Sequence, residues 1–157
     1  MASIIQRMTD LATCLCAQIV VDLSPEPCWC GVMPGQEALL EALGDACDGG
    51  IAWVRLITSY PSQIVGQAST LTGNCGMGTG FDLEVGIARV VTVEEEAPDP
   101  AEALAAVEQQ IKDMDTMRRA IGCCPALPKP DYILGAYTPL GPLGGVVGGS
   151  WTVFVGL

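Results

Sequence analysis

The first part of the chain repeats apolar residues every three or four positions, which is the spacing of one face of a helix. Between Met1 and Leu23 the repeat consists of Ile4, Ile5, Met8, Leu11, Leu15, Ile19 and Val20. Arg7, Asp10 and Gln18 fall largely off that face. The pattern predicts an amphipathic helix over residues 1–23 with one face for burial.

The next segment, residues 24–50, shows no helical or strand period. Pro25, Pro27, Gly31 and Pro34 punctuate "LSPEPCWCGVMPGQ" and are expected to prevent regular structure there. The following "EALLEALGDACDGG" predicts a short helix or turn that its glycine pair ends. We interpret residues 24–50 as an irregular connection that contains a short helix.

Two later segments alternate apolar and polar residues, as half-buried strands do. The first is "IAWVRLITSYPS", residues 51–62, which Pro61 is expected to stop. The second is "FDLEVGIARVVTV", which predicts an antiparallel partner whose wetter face carries Asp82, Glu84 and Arg89. Its alternation slips near the end, which we attribute to a bulge at Gly86.

A second helix has clear boundary signals, with Asp99 as N-cap, Pro100 at the first helical position and Gly122 as its end. Its predicted buried stripe consists of Leu104, Val107, Ile111, Met114, Met117 or Arg118, and Ile121. Two further strands are expected in "DYILGAY" and "SWTVFVGL", joined by a connection rich in glycine and proline.

The element order is helix, strand, strand, helix, strand, strand. This order indicates an α+β fold in which two helices cover a mainly antiparallel sheet. With 157 residues, half of them hydrophobic, the chain suits one domain over residues 1–157. The residues from Gly135 to Leu157 are uncharged. A strand there would be an aggregation-prone edge in a monomer, so the segment predicts a covered subunit contact or, equally, a plain hairpin loop.

The net charge of the chain limits the kinds of partner that it is expected to bind. The 18 acidic and seven basic residues give a net charge of -11, which disfavours a surface that grips nucleic-acid phosphates but suits a wall past which DNA slides. Arg7 and Asp10 interrupt the apolar N-terminal segment, so we expect no export signal. Pro139, Pro142 and the nearby glycine pairs would break a membrane-spanning helix, so we expect no membrane association.

Candidate chemistry is sparse. The chain has no histidine, which removes the commonest general base and a common zinc ligand. The run Glu94 to Glu96 is typical of a solvated charged segment. "GNCGMGTGF" resembles a phosphate loop but lacks the lysine and leads into a strand. We therefore nominate no catalytic residue, no cofactor site and no metal site.

Eight cysteines remain to be explained. Their C-x-C and C-C spacings are not those of zinc knuckles. Six lie in or beside irregular connections, where disulfides stabilise most, and are candidate disulfide residues: Cys28, Cys30, Cys47, Cys75, Cys123 and Cys124. Cys14 and Cys16 lie about 200 degrees apart around the first helix, so we expect them to face different ways as free thiols.

Two functions from other classes follow from the cysteines. A thiol-dependent enzyme would have to use Cys123 or Cys124, close to Arg118 and Arg119, but a helix C-terminus does not favour a thiolate. A disulfide-stapled exported module would need an export signal that the sequence does not predict. A non-enzymatic function is therefore favoured.

Four segments taken together resemble a known group of proteins: "AWVRLITSYPS", "FDLEVGIARVV", "DMDTMRRAIGCC" and "YTPLGPLGGVVGGSWTVFVGL". They are similar to small neck and tail-junction proteins of long-tailed bacteriophages that infect actinobacteria. The resemblance covers most of the chain from about Gly50 onward. It implies a tail-completion-like fold and a ring at the head-tail junction, expected to be the tail terminator or, alternatively, a head-closure or stopper ring.

The resemblance also implies partners. The chain would form a homo-oligomeric ring, expected to be a hexamer, and contact the major tail protein and the head-completion or connector proteins. DNA would pass through its lumen without specific binding, and the ring would be assembled in the host cytoplasm and carried in the virion neck. Candidate interface residues are Trp53, Tyr60, Trp151, Val153, Phe154 and Val155, since alternation alone does not say which sheet face is the core.

Overall fold

A computed structural model describes residues 3–35, 49–69, 78–91, 99–127, 131–143 and 145–156. Two long helices, α1 (Ile4–Asp22) and α2 (Pro100–Cys123), pack on one face of a five-stranded sheet. The fold is α+β, as the sequence pattern predicted. Ser3 caps α1, because its side-chain oxygen accepts a hydrogen bond from the backbone N–H of Gln6 at 3.2 Å.

The strands are β1 (Trp29–Val32), β2 (Ile51–Ser62), β3 (Gly78–Val90), β4 (Tyr132–Leu143) and β5 (Val146–Gly156). Their order across the sheet is β1-β2-β3-β5-β4. β1 runs parallel to β2, and the other neighbours are antiparallel. β5 pairs with β3 and β4, so the expectation that the last strand is an exposed edge is wrong.

Strand β1 lies inside the segment expected to be irregular. Its four residues pair with the first four of β2, from Trp29 opposite Ile51 to Val32 opposite Val54. A four-residue strand is too short to show an alternating pattern, and its hydrogen-bond partners are supplied by a distant segment. Most of the predicted short helix in this connection lies outside the described residues.

Pro61 does not end β2, which was the expectation, since the strand continues to Ser62 with Pro61 opposite Thr79. β1 covers only Ile51–Val54, so Pro61 lies where the missing N–H removes no pairing with β1. The Pro61 carbonyl accepts a hydrogen bond from the backbone N–H of Ser69 at 2.8 Å. Proline is therefore tolerated at this position, which lies beyond the part of β2 that pairs with β1.

The bulge predicted at Gly86 is also misplaced. Gly86 pairs regularly with Trp53 on one side and Ser150 on the other, and the register shifts between Leu56 and Thr58 of β2 instead. Without a bulge, alternation continues along β3 and puts Arg89 on the helix-covered face. The expectation that Arg89 lies on the wetter face is thus wrong.

The core lies between the helices and the sheet. Both helices and the three central strands contribute fully buried side chains, including Leu11, Leu15, Val54, Leu83, Val85, Ile87, Met117, Ile121, Val153 and Val155. A smaller cluster on the opposite sheet face contains Ile51, Trp53, Ala88 and Val146. Helix α2 ends at Cys123, with Cys124 as its C-cap, one residue beyond the predicted end at Gly122.

Candidate subunit interface

Three of the predicted interface residues lie on the core face of β5. Val153 and Val155 have no exposed area, and they pack against the helices. Trp151 is half-buried on the same face, where its Nε1–H donates a hydrogen bond to the carbonyl of Met114 in α2 at 3.1 Å. The prediction that Val153 and Val155 form a subunit surface is wrong, because the chain's own helices cover them.

Trp53 lies on the opposite sheet face and is also buried, with 5% of its area exposed. Its ring covers Gly86, where a β-carbon would collide with the indole. Its Nε1–H donates to Oε1 of Glu84 at 2.8 Å, and Arg55 donates to Oε2 of the same carboxylate at 2.7 Å. Trp53 is therefore held within the chain and is not a surface residue.

Tyr60 and Phe154 are half-buried on that same outer face. Tyr60 packs over Gly80, and burial, with the Asp82 carboxylate beside it, raises the pKa of the Tyr60 phenol to about 12. Phe154 lies next to the turn at Gly66, a position with φ of +79° that favours glycine. Of the six predicted interface residues, these two and Trp151 retain accessible surface.

One of the two edge strands of the described sheet is β4, whose twelve residues carry no charge. Its pairing with β5 shifts register between Leu134 and Tyr137 and again between Leu140 and Leu143. These irregularities, with Pro139 in the strand, limit uncontrolled strand addition, while Ile133 stays 47% exposed. An uncharged edge with such restraints suits a specific contact better than open-ended aggregation.

The first half of α2 presents an apolar stripe that the sequence pattern predicted to be buried. Leu104, Val107 and Ile111 are 60%, 49% and 50% exposed. We call these three residues the α2 ridge. The residues that α2 actually buries all lie in its second half: Asp113, Thr116, Met117, Ala120 and Ile121.

Helix geometry explains the error. At about 100 degrees per residue, the ridge is centred roughly 150 degrees from the face that α2 buries. The ridge therefore points away from the sheet, and a single stripe running from Leu104 to Ile121 does not exist. The apolar residues do recur about once per helical turn, as predicted. However, the apolar residues in the first half of α2 lie on a different face from the residues that its second half buries.

A shallow groove lies between α1 and β1. It has a volume of about 670 Å³, and its lining residues are Thr9, Ala12, Thr13, Cys16, Ala17, Val20, Cys30, Gly31 and Val32. None of these residues is charged. We call this feature the α1–β1 groove.

The cysteines of α1 are both bonded, so the expectation that they are free thiols is wrong. Cys14 forms a disulfide with Cys124, and Cys16 forms one with Cys30. Because the two side chains diverge around the helix, each reaches a different neighbour: the C-cap of α2 on one side and β1 on the other. The divergence that suggested separate thiols instead allows α1 to be crosslinked on two sides.

The other described cysteines differ in whether they form a disulfide bond. Cys28 is also disulfide-bonded, and Cys123 is an exposed free thiol, although it was a candidate disulfide residue. Cys124 rather than Cys123 turns inward, because α2 buries the side that faces α1. Cys47 and Cys75 lie outside the described residues.

This arrangement bears on the enzyme hypothesis. Cys124 is bonded to Cys14, which leaves Cys123 as the thiol of that pair able to react. Within the described ranges, no group of three or more Cys, Asp or Glu side chains is placed to hold a metal ion.

Helix α1 is long and apolar enough to cross a membrane by length and composition, a test that buried helices and signal sequences also pass. In this fold five α1 residues pack in the core: Met8, Leu11, Ala12, Leu15 and Ile19. No protein-family model matches the chain, and no curated protein matches it either.

Proposed function

We propose that this chain is a structural subunit of a bacteriophage virion that forms a ring at the head-tail junction, as the tail terminator that caps the tail tube. The observation that carries the proposal is the α2 ridge, with Leu104, Val107 and Ile111 each about half exposed or more. Apolar surface at this spacing is typical of a helix that packs against another protein surface. The alternative within the same class is a head-closure or stopper ring nearer the portal.

The net charge of -11 supports contact between copies at uncharged surfaces. Two acidic copies repel each other, so their contact must use surface without acidic side chains. The three ridge residues and the twelve β4 residues are uncharged and lie on different elements of the chain, although Glu108, one turn after Leu104, borders the ridge. A contact between two different surfaces is heterologous, and repeating it closes a ring when the rotation allows.

The same charge suits the proposed lumen. An acidic wall repels the phosphate backbone, so DNA passes without adhering. The proposed neighbours of the ring are the major tail protein on one side and the head-completion or connector proteins on the other. Trp151, Tyr60 and Phe154 remain candidates for these contacts because part of each side chain is accessible.

Cryo-electron microscopy of the particle that carries this chain is the test. A sixfold ring directly on the tail tube is the expected result. A ring between that layer and the portal would replace the terminator with a connector or stopper. If purified particles lacked the chain altogether, the virion proposal would be overturned.

The disulfides favour a second candidate, an exported module that acts outside the cell. Disulfides persist in oxidising surroundings, which include the cell exterior as well as released virions. The two candidates differ in where the mature chain is found. Recovery of the chain as a free protein in cell-free medium, with none in purified particles, would favour the exported module.

A further inference from the structure

The two disulfides of α1 differ in their access to solvent. Cys16 and Cys30 are half-buried, and both line the open α1–β1 groove. Cys14 is half-buried as well, but it packs against the core cluster, and its partner Cys124 is 5% exposed and belongs to that cluster, where its sulfur lies 3.8 Å from the carbonyl oxygen of Asp10. Neither Cys14 nor Cys124 lines the groove.

Access determines how fast a disulfide reacts with a thiol, because the attacking thiolate must reach a sulfur atom. The groove, with a volume of about 670 Å³, is large enough for a small-molecule thiol. We propose that Cys16–Cys30 is a thiol–disulfide exchange site for small thiols that enter the α1–β1 groove, whereas Cys14–Cys124 is a protected structural crosslink. This inference does not depend on the proposed virion function.

The chemistry needs only thiols and disulfides. A small thiolate attacks one sulfur of Cys16–Cys30, forming a mixed disulfide and releasing the other cysteine as a thiolate, which takes up a proton. A second small thiolate then attacks the mixed disulfide and releases the second cysteine. The protein disulfide gains two electrons and two protons, and the two small thiols leave as one small-molecule disulfide. In the reverse direction, a small-molecule disulfide oxidises the two cysteine thiols and is reduced to two small thiols. This reverse reaction re-forms the Cys16–Cys30 bond outside the reducing cytosol.

Reduction at this site changes the attachment of β1 and leaves the core intact. β1 stays paired with β2 through four residues, but its covalent link to α1 is lost. α1 keeps Leu11, Leu15 and Ile19 in the core and keeps its bond to Cys124. The exchange therefore loosens one wall of the groove without unfolding the domain.

Timed reduction of the native full-length chain tests the inference. The oxidised protein is mixed with dithiothreitol, samples are quenched with an alkylating reagent, and peptide mass spectrometry gives the modified fraction of each cysteine. We expect Cys16 and Cys30 to become alkylated at least about tenfold faster than Cys14 and Cys124. Assignment by residue keeps the separately bonded Cys28 from contributing to either rate.

Two variants make the assignment specific. In Cys16→Ser with Cys30→Ser, the fast phase at these positions is gone and Cys14–Cys124 keeps its slow rate. Cys123→Ser is the matched control, since it removes an exposed free thiol and should leave both rates unchanged. Equal reduction rates for the two disulfides, or faster reduction of Cys14–Cys124, would overturn the proposal. So would the absence of a bond between Cys16 and Cys30 in the wild-type protein before any reductant is added.

Discussion

Arg89 and Asp113 form a two-point ion pair beneath α2, with Nε to Oδ2 at 2.8 Å and Nη2 to Oδ1 at 2.9 Å. Both are buried, at 7% and 1% exposed. The second terminal nitrogen of Arg89 donates to the carbonyls of Pro25 and Gly49 at 2.9 and 2.8 Å. A single side chain of β3 thus joins α2 to both described ends of the connection between α1 and β2.

Asp113→Asn should strongly destabilise the domain. The near-isosteric amide removes the negative charge and leaves the Arg89 guanidinium buried without its counter-ion, a change that typically costs about 3–5 kcal/mol. Chemical denaturation measures the free energy of unfolding. The matched control is Asp115→Asn, which breaks an exposed pair with Arg118 and should cost less than about 1 kcal/mol. Similar decreases in the free energy of unfolding for the two variants would show that the buried pair stabilises the domain no more than the exposed pair does.

Val107→Asp should prevent assembly without unfolding the subunit. The valine is 49% exposed, so the free energy of unfolding should change by no more than about 0.5 kcal/mol, while a charge on the α2 ridge opposes an apolar contact. Ala105→Asp adds the same charge to an exposed position off the ridge and is the control. Incorporation into particles, measured by quantitative mass spectrometry, should fall only for Val107→Asp. Normal incorporation of that variant would remove the ridge from the interface.

Gly86→Ala and Gly122→Ala should change stability in opposite directions. A methyl group at Gly86 meets the Trp53 ring, so we expect a loss of about 1–3 kcal/mol and a shift in tryptophan fluorescence. Gly122 is helical with open space around its β-carbon position, so alanine should stabilise by up to about 1 kcal/mol. Denaturant unfolding of both variants gives the comparison. An unchanged free energy of unfolding for Gly86→Ala would mean that the packing of the Trp53 indole does not depend on its close approach to Gly86.

Alkaline pH should weaken the fold through Tyr137. Burial, followed by the nearby Asp113 carboxylate, raises the pKa of the Tyr137 phenol from about 10 to about 12. The unfolded chain therefore loses this proton first, so the stability is fully present below about pH 10 and is lost as the pH rises towards 12. Denaturant unfolding across that range should show a shallower decline for Tyr137→Phe. An identical decline in both proteins would assign the loss to other groups.

The sequence predicted the long elements well because their patterns are local. Alternation located the start of β2 at Ile51, and the Asp99–Pro100 boundary located the start of α2. β1 was missed because its pairing is set by a strand more than twenty positions away. The assumed bulge at Gly86 then put Arg89 on the wrong face, since one inserted residue reverses every side chain beyond it.

Less of the candidate interface was predictable. Composition correctly identified an uncharged C-terminal region, but alternation could not say that β5 is the inner strand of its hairpin. Helical spacing identified Leu104, Val107 and Ile111 as apolar without revealing that α2 buries a different side. The disulfide partner of Cys14 is 110 residues away, a pairing that only the packing of α1 beside α2 establishes.

The strand order also constrains how the sheet can form during synthesis. β4 precedes β5 in the chain but has β5 as its only partner strand among those described, and β5 separates it from β3. A nascent chain that has emerged only as far as β4 therefore contains a strand with no place in the sheet. β4 can join the sheet only when β5 is present to pair with it, so completion of the sheet is delayed until β5 has left the ribosome.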